Sequence, residues 1–302
     1  MTIETLKYNM AQIHGETVSQ NWWDKLPQTL DKQAKKWGFE LLSPIETLSY
    51  HYLHWVKYKG KKAVLKLSSL NPKFSLEVET LLDLQGPHCV RVLKSNTQAL
   101  LLQGLTPAQS LIETKSDKEA TRIVAELILK TKRPQVPKQN APQPTLSDWG
   151  DAFSRLRERY KGGTGPFESD LITEAESIFK SKNQNAVSVL LHGDLHHENI
   201  LFDHNLGWVM IDPHGVWGEL AFEPSAYLHN QLLKHPYPTQ ILEERIRIFS
   251  DVLSLAPQRI FDWGFAKSVL SVVWSDEDQL SFKEGLTVTQ AYQALNNKGA
   301  FR

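Results

Sequence analysis

The chain is poor in cysteine, in net charge and in long apolar runs, and each scarcity excludes something. Cys89 is its one cysteine, which rules out an intrachain disulfide framework and suits a reducing compartment. Lysine plus arginine equals aspartate plus glutamate, 34 against 34. That balance argues against a dedicated nucleic-acid binder, which shows a basic excess or patch. No apolar run approaches the ~20 residues that a membrane-spanning helix needs. Met1 to Tyr8 holds no basic start followed by an apolar block, so no secretory signal is expected. There is no internal repeat and no low-complexity region. No Gly-x-x-x-x-Gly-Lys-Ser/Thr loop occurs, which argues against a Walker-type ATPase. The expectation is a cytoplasmic protein with no membrane and no nucleic-acid partner.

What is present is an ordinary globular composition, 41% hydrophobic over 302 residues. That length is generous for one core and predicts two lobes. Nine tryptophans are many; most belong in cores, and a few are candidates to line a pocket. The spacing of Leu26, Leu30, Ala34 and Trp37 predicts a helix over 24–37, ended by Gly38. Strands follow over 50–58 and 62–67, joined as a hairpin at Lys59-Gly60-Lys61-Lys62. Asn71 and Pro72 then open a helix that runs to about Gln85. Strands over 90–94 and 98–103 complete an α+β lobe built on an antiparallel sheet, residues 1–103. Residues 104–302 read as mostly helical. A capping box at Ser116 to Glu119 starts a helix buried through Ile123, Val124, Leu127 and Ile128. Further helices are expected over 147–160, 170–180, 243–255, 260–274 and 286–294. Residues 134–144 form a loop, and short strands are expected over 187–191, 200–202 and 208–211.

The chemistry concentrates in this second part. His192-x-Asp194 is followed by Asn199 five residues after the aspartate, and Asp212 ends the next apolar run, Trp208 to Ile211. The spacing has the form of a phosphotransferase catalytic loop. Asp194 is the candidate to orient an acceptor hydroxyl and take its proton. His192 braces the loop. Asn199 and Asp212 are hard oxygen ligands suited to Mg²⁺. A zinc site is the competing reading, because His192, His196 and His197 cluster. However, His197-Glu198-Asn199-Ile200 lacks the second histidine of His-Glu-x-x-His.

Phosphoryl transfer also needs a cation on the nucleotide. Lys66 is the candidate, because apolar residues flank it in Ala63-Val64-Leu65-Lys66-Leu67 whereas Lys57, Lys59, Lys61 and Lys62 sit around a solvated turn. Glu77 and Glu79 are both candidates to hold it. Glu77 is preferred because it shares a face with Leu81 and Leu84. The run Leu100 to Leu105 leads between the lobes, where the backbone of Gln103 and Leu105 can meet an adenine. One expected part is missing: Pro44 to His51, between the first strands, holds no glycine to cover phosphates.

Taken together these residues resemble the aminoglycoside phosphotransferase superfamily, and are most similar to its streptomycin 6-phosphotransferase and hydroxyurea phosphotransferase branch. The likeness runs through Trp55 to Leu67, Gly86 to Leu93, Ala99 to Leu111, Leu146 to Trp149 and Leu191 to Leu201. It continues through Ile211 to Glu219 and Asp262 to Asp278. The resemblance implies a two-lobed protein-kinase-like fold, ATP with Mg²⁺, and transfer of the γ-phosphoryl group to a small-molecule hydroxyl. It implies base function at Asp194, metal binding at Asn199 and Asp212, and phosphate binding at Lys66. Glu223-Pro224 departs from the aspartate that relatives often carry there. For a polycationic acceptor such as streptomycin, Glu219, Glu223, Asp276, Glu277 and Asp278 are candidate ligands. Trp217, Trp263 and Trp274 are candidates to stack on a ring. A metabolite kinase acting on an amino alcohol or sugar, and a nucleotide-binding pseudokinase, are the alternatives.

Overall fold

The computed structural model describes residues 2–46, 51–70, 74–84, 86–113, 116–137, 141–182 and 187–301. Two helices lead, α1 (Ile3–His14) and α2 (Glu16–Trp37). Then come β1 (Phe39–Ile45), β2 (Tyr52–Tyr58), β3 (Lys61–Leu67), α3 (Phe74–Asp83), β4 (Val92–Ser95) and β5 (Ala99–Gln103). The five strands form one sheet in the order β1-β2-β3-β5-β4, every pairing antiparallel. β2 and β3 join through Lys59 and Gly60, both at positive φ, the two-residue turn whose twist matches the strands it connects.

Side chains alternate across a strand, so β3 and β5 each serve two cores. Ala63, Leu65, Leu67, Ala99 and Leu101 pack against Leu6, Met10, Leu26 and Leu30 of α1 and α2. On the other face Val64, Leu100 and Leu102 pack against Phe74, Val78 and Leu81 of α3. Lys66 has the parity of Val64, so its side chain emerges on the α3 face. The helix expected over 24–37 is the second half of α2, which starts at Glu16 and passes through Pro27. α1 was not expected. It buries only Leu6 and Met10, too thin a stripe to read from spacing. The expected opening of α3 at Asn71-Pro72, and its expected end at Gln85, lie outside the described residues.

The second lobe holds β6 (Pro107–Ser110), α4 (Asp117–Lys130), α5 (Leu146–Arg159), α6 (Ser169–Lys182) and β7 (Ser188–Leu191). It continues with β8 (Ile200–Asp203), β9 (Gly207–Met210), β10 (Val216–Glu219), α7 (Ser225–His229), α8 (Pro238–Leu253), α9 (Pro257–Glu277) and α10 (Lys283–Asn297). β6, β8 and β9 form one small sheet, and β7 pairs with β10 in another. β6 and β10, like β1 in the first lobe, are additions to the expected strands; β6 and β10 are each short enough to pass as loop. α4 is capped by Ser116, which accepts the Glu119 N–H, and a reciprocal capping box forms at α5 between Thr145 and Asp148. The core gathers Phe153, Leu156, Ile172, Phe179 and Phe222 around Trp263 of α9.

A third apolar cluster crosses between the lobes. Phe74, Leu81, Leu84, Cys89 and Val90 pack with Leu190, Val209 and Trp217. The backbone reinforces it: Val90 N–H donates to Met210 C=O and Met210 N–H to His88 C=O, both at 2.9 Å. Gly215 lies so close to α3 that a Cβ there would sit 2.0 Å from Thr80 Oγ1. This packing seats β3 and α3 against the segment after β9.

Candidate active site

The local sequence explains why β7 and the β8–β9 hairpin come together. β7 ends at Leu191 and the chain turns at Gly193, whose φ of +80° is a region glycine tolerates. His192 is fully buried beneath this turn. Its Nε2–H donates to Ile211 C=O at 2.8 Å, and its Nδ1 accepts the Asp194 N–H at 3.3 Å. The two bonds fix one neutral tautomer, and burial lowers the imidazole's pKa in keeping with it. His192 C=O accepts the N–H groups of His214 and Gly215, so the segment after Asp212 is tied to the Asp194 turn. His192 thus braces two chain segments rather than facing an open space.

Asp194 stands at the mouth of this turn. Its carboxylate lies 3.5 Å from His196 Nε2 and 3.6 Å from His214 Nε2. Burial works against its charge, but the hydrogen bond from His196 and the charge of His214 outweigh that and hold it well below the usual carboxylate range. Burial likewise opposes the charge on His196. Asp194 and Glu198 reverse the effect and raise its pKa to about 9.

Asn199 closes a 3₁₀ turn, His197–Asn199, at the start of β8. Its Nδ2 donates to Asp194 C=O at 2.9 Å and lies 3.1 Å from His196 Nε2. The carbonyl Oδ1 is left as its acceptor. The hairpin pairs Ile200 with Met210, and Ile211 N–H donates to Asn199 C=O at 2.9 Å, which sets Asp212 beside Asn199. Asp212 has a φ of +54°, a conformation costly for a residue with a Cβ.

From the other lobe comes Lys66, almost entirely buried. Its Nζ donates to Glu77 Oε1 at 2.8 Å and to Asp212 Oδ1 at 2.9 Å. Burial works against the ammonium, and Asp212 and Glu77 more than offset it, so Lys66 is raised above its ordinary value and charged. Burial pushes Glu77 up to about 7 despite Lys66. Glu79, the other candidate, is exposed on α3. His51 lies near this triad. Its Nδ1 accepts the Ser69 N–H at 3.4 Å, and burial pushes it down to about 3. At the lobe crossing, Gln103 N–H is engaged by Arg91 C=O at 2.9 Å, which removes it as an adenine donor. Leu105 is buried two residues further on, and its backbone makes no hydrogen bond among the described residues.

The candidate acceptor ligands come out differently from expectation. Glu223 is wholly buried, paired with Arg133 Nη1 at 2.8 Å, and accepts the N–H groups of His192 and Gly193. Glu219 accepts from Arg259 Nε and from Trp263 Nε1. Asp276 pairs with Arg159 and accepts from Tyr160 Oη–H, and Glu277 pairs with Arg155 at 2.7 Å. These four carboxylates staple helices and loops and are each matched by arginine, whereas Asp278, the fifth candidate, is exposed at the C-terminal cap of α9. Trp217 and Trp263 are core residues. Trp274 remains half-buried, edge-on to Trp149 with ring centroids 5.3 Å apart. Sequence reading missed Arg133, His214 and Lys267 near this site. A signal existed for Lys267, which is the single charged residue between Asp262 and Asp276.

Among the described residues no three His, Cys, Asp or Glu side chains converge to hold an ion, so the zinc reading finds no ligand set. Two lobes, with a buried lysine from the sheet facing a catalytic-type loop from the helical part, define a small-molecule phosphotransferase of kinase-like fold. A family model described as aminoglycoside/hydroxyurea antibiotic resistance kinase matches residues 40–279. The chain belongs to that family. It is 30% identical over 201 residues to a streptomycin 3''-kinase of Klebsiella pneumoniae, covering 63% of this chain and 71% of that protein. It is 23% identical over 304 residues to a streptomycin 6-kinase of Streptomyces glaucescens, covering 97% and 96%. Among solved structures, a thermostable mutant of aminoglycoside phosphotransferase APH(4)-Ia in ternary complex with ADP and hygromycin B superposes with TM-score 0.62 at 14% identity. That match covers 89% of this chain and 98% of that one. Among the described residues no helix is long and apolar enough to cross a membrane.

Proposed function

We propose that this chain is a cytoplasmic enzyme that moves the γ-phosphoryl group of ATP to a hydroxyl of a small molecule, with the nucleotide held between residues 1–103 and 104–302. The observation that carries the reading is Lys66 Nζ bonded at once to Glu77 and Asp212 across the lobes. In this reading Lys66 anchors the α and β phosphates, Glu77 holds the lysine in place, and the free Leu105 backbone meets the adenine. The Asn199 Oδ1 and the Asp212 carboxylate are a hard oxygen pair suited to Mg²⁺, which takes few protein ligands. A bound Mg²⁺ would neutralise charge on the β and γ phosphates.

Asp194 aligns the acceptor hydroxyl for in-line attack. The new bond joins the acceptor oxygen to Pγ, the bond from Pγ to the ADP oxygen breaks, and the hydroxyl proton passes to Asp194. A carboxylate held so far below its usual range is a weak base, so its main service is orientation, with proton transfer late in the step. The acceptor class follows the family: an aminoglycoside such as streptomycin, or hydroxyurea. The test is Asp194→Asn assayed against a panel of streptomycin, hydroxyurea and hydroxylated metabolites. Turnover is expected to fall by about 10²- to 10⁴-fold, while stabilisation by Mg·ADP persists. Near-full activity in Asp194→Asn, or no stabilisation of the wild type by Mg·ADP, overturns the reading.

A further inference from the structure

Two imidazoles converge on one oxygen of the candidate base. His196 Nε2 lies 3.5 Å and His214 Nε2 3.6 Å from Asp194, and in both cases the oxygen approached is Oδ2. No described residue pairs with Oδ1. The Asp194 side chain is 30% exposed, so an incoming molecule can reach it. The last torsion of an aspartate is broad and two-fold, so an unrestrained carboxylate exchanges its two oxygens. Partners gathered on one oxygen remove that freedom and leave the other as the acceptor.

The two imidazoles are held from different parts of the molecule. His196 belongs to the loop itself. Its Nδ1 lies 2.9 Å from Glu198 Oε2, and Glu198 Oε1 accepts from Gln231 Nε2 at 2.7 Å, so the ring is fixed from behind. His214 comes from the segment that follows Asp212. Its N–H and that of Gly215 both donate to His192 C=O, at 2.9 and 3.0 Å. Gly215 is in turn pressed against Thr80 of α3, where a Cβ has no room. The place of His214 is therefore set by the seating of the first lobe on the second. Its side chain is 61% exposed, against 23% for His196. An imidazole that open contributes little to the stability of the fold, yet its Nε2 stands beside the base.

We propose that His214 is a positioning residue of the phosphoryl transfer: together with His196 it holds Oδ2 of Asp194, so that Oδ1 is presented to the acceptor hydroxyl. The proposal rests on the phosphotransferase reading above and adds a residue to that same site. The hydroxyl proton still passes to Asp194, now at Oδ1, as the bond from the acceptor oxygen to Pγ forms and the bond from Pγ to the ADP oxygen breaks. His214 exchanges no proton with the reactants. Its contribution is orientation, where a displacement of ~1 Å costs about 10²-fold in rate.

The test is steady-state kinetics of the full-length protein with streptomycin, hydroxyurea and water as acceptors, read as ADP release. His214→Ala is expected to lower kcat by about 10- to 100-fold, with the KM for ATP, the melting temperature and stabilisation by Mg·ADP unchanged. His214→Gln, whose amide N–H reaches the place of Nε2, recovers most of the loss. His214→Asn, whose amide stands at the place of Nδ1, stays slow, so the two amides decide the matter should the alanine variant fail to fold. A merely structural histidine gives neither the split between kcat and KM nor the rescue. His214→Ala added to Asp194→Asn costs nothing further, because it acts through the carboxylate. A kcat that His214→Ala leaves intact, glutamine and asparagine variants of equal rate, or a loss that is fully additive with Asp194→Asn overturns the proposal and leaves the phosphotransferase reading standing. Wild-type protein that transfers phosphate to none of the three acceptors overturns that reading, and this inference with it.

Discussion

The carboxylate of Glu223 accepts the backbone N–H of His192 at 3.0 Å from thirty-one positions further along the chain. Its other oxygen accepts the Gly193 N–H at 3.2 Å, so one side chain holds both peptide groups that lead into Asp194. Arg133 neutralises it and donates from the same Nη1 to Leu190 C=O. The turn that presents Asp194 is thus positioned by charge buried behind it rather than by its own residues.

Glu223→Gln keeps the shape and removes the charge, which leaves Arg133 buried without a counter-ion. Breaking a buried pair by removing one partner costs about 3–5 kcal/mol. The expected outcome is a lower melting temperature together with a lower kcat and an unchanged KM for ATP. A variant that is as stable as the wild type would show that the Arg133 charge is satisfied elsewhere.

Lys66→Met removes the cation between Glu77 and Asp212. Burial already pushes Glu77 to about 7, so this glutamate takes up a proton and the fold survives. Nucleotide binding loses a charged hydrogen-bond donor, worth about 1.5–3 kcal/mol, hence roughly a 10- to 100-fold weaker Kd. Calorimetric titration with Mg·ADP reads this directly; an unchanged Kd removes Lys66 from the phosphate site.

His196 makes stability depend on pH in a stated direction. Its pKa is raised from 6.5 to about 9 in the folded protein, by Asp194 and Glu198 acting against burial. The folded state therefore binds the proton more tightly than the unfolded chain. That contribution is fully present below pH 6.5 and is lost as pH rises through about 9. The melting temperature of the wild type is expected to exceed that of His196→Gln at pH 6.5, with the gap closing by pH 9.5. A gap that widens with pH contradicts the pairing.

Gly215→Ala tests the seating of α3 on the second lobe. Its φ is +73°, and a Cβ would lie 2.0 Å from Thr80 Oγ1. The substitution is expected to cost about 1–3 kcal/mol by overpacking, with strain from the positive φ in addition. Thr80→Ala in the same chain should restore part of the loss, a non-additivity that a double-mutant cycle in urea measures. Fully additive effects would place the strain elsewhere.

Much of the candidate site is legible in the sequence because its parts are local. Asp194 and Asn199 are five residues apart in one loop, and Asp212 ends the apolar strand that the loop feeds. Lys66 is marked by apolar neighbours in its own strand, and the shared face of Glu77, Leu81 and Leu84 separates Glu77 from Glu79. Strand alternation and helix periodicity likewise marked four of the five strands of the first sheet, β2 to β5, and the helices from α4 to α10 except α7. The chain alone therefore marked the candidate residues of the loop and of β3, and the face of α3 on which Glu77 stands.

Tertiary structure decided which charges meet. Glu219, Glu223 and Asp276 look like an acidic surface in the sequence, and their arginine partners lie 40, 90 and 117 positions away. Lys267 is one lysine in an apolar helix until α5 brings Trp149 beside it and the β7 turn brings Asp194 near. Spacing reports neighbours within a few residues, because backbone geometry repeats over that range. Partners separated by tens of residues are selected by how helices and lobes pack, and that choice minimises buried unpaired charge over the whole molecule rather than along any stretch of it.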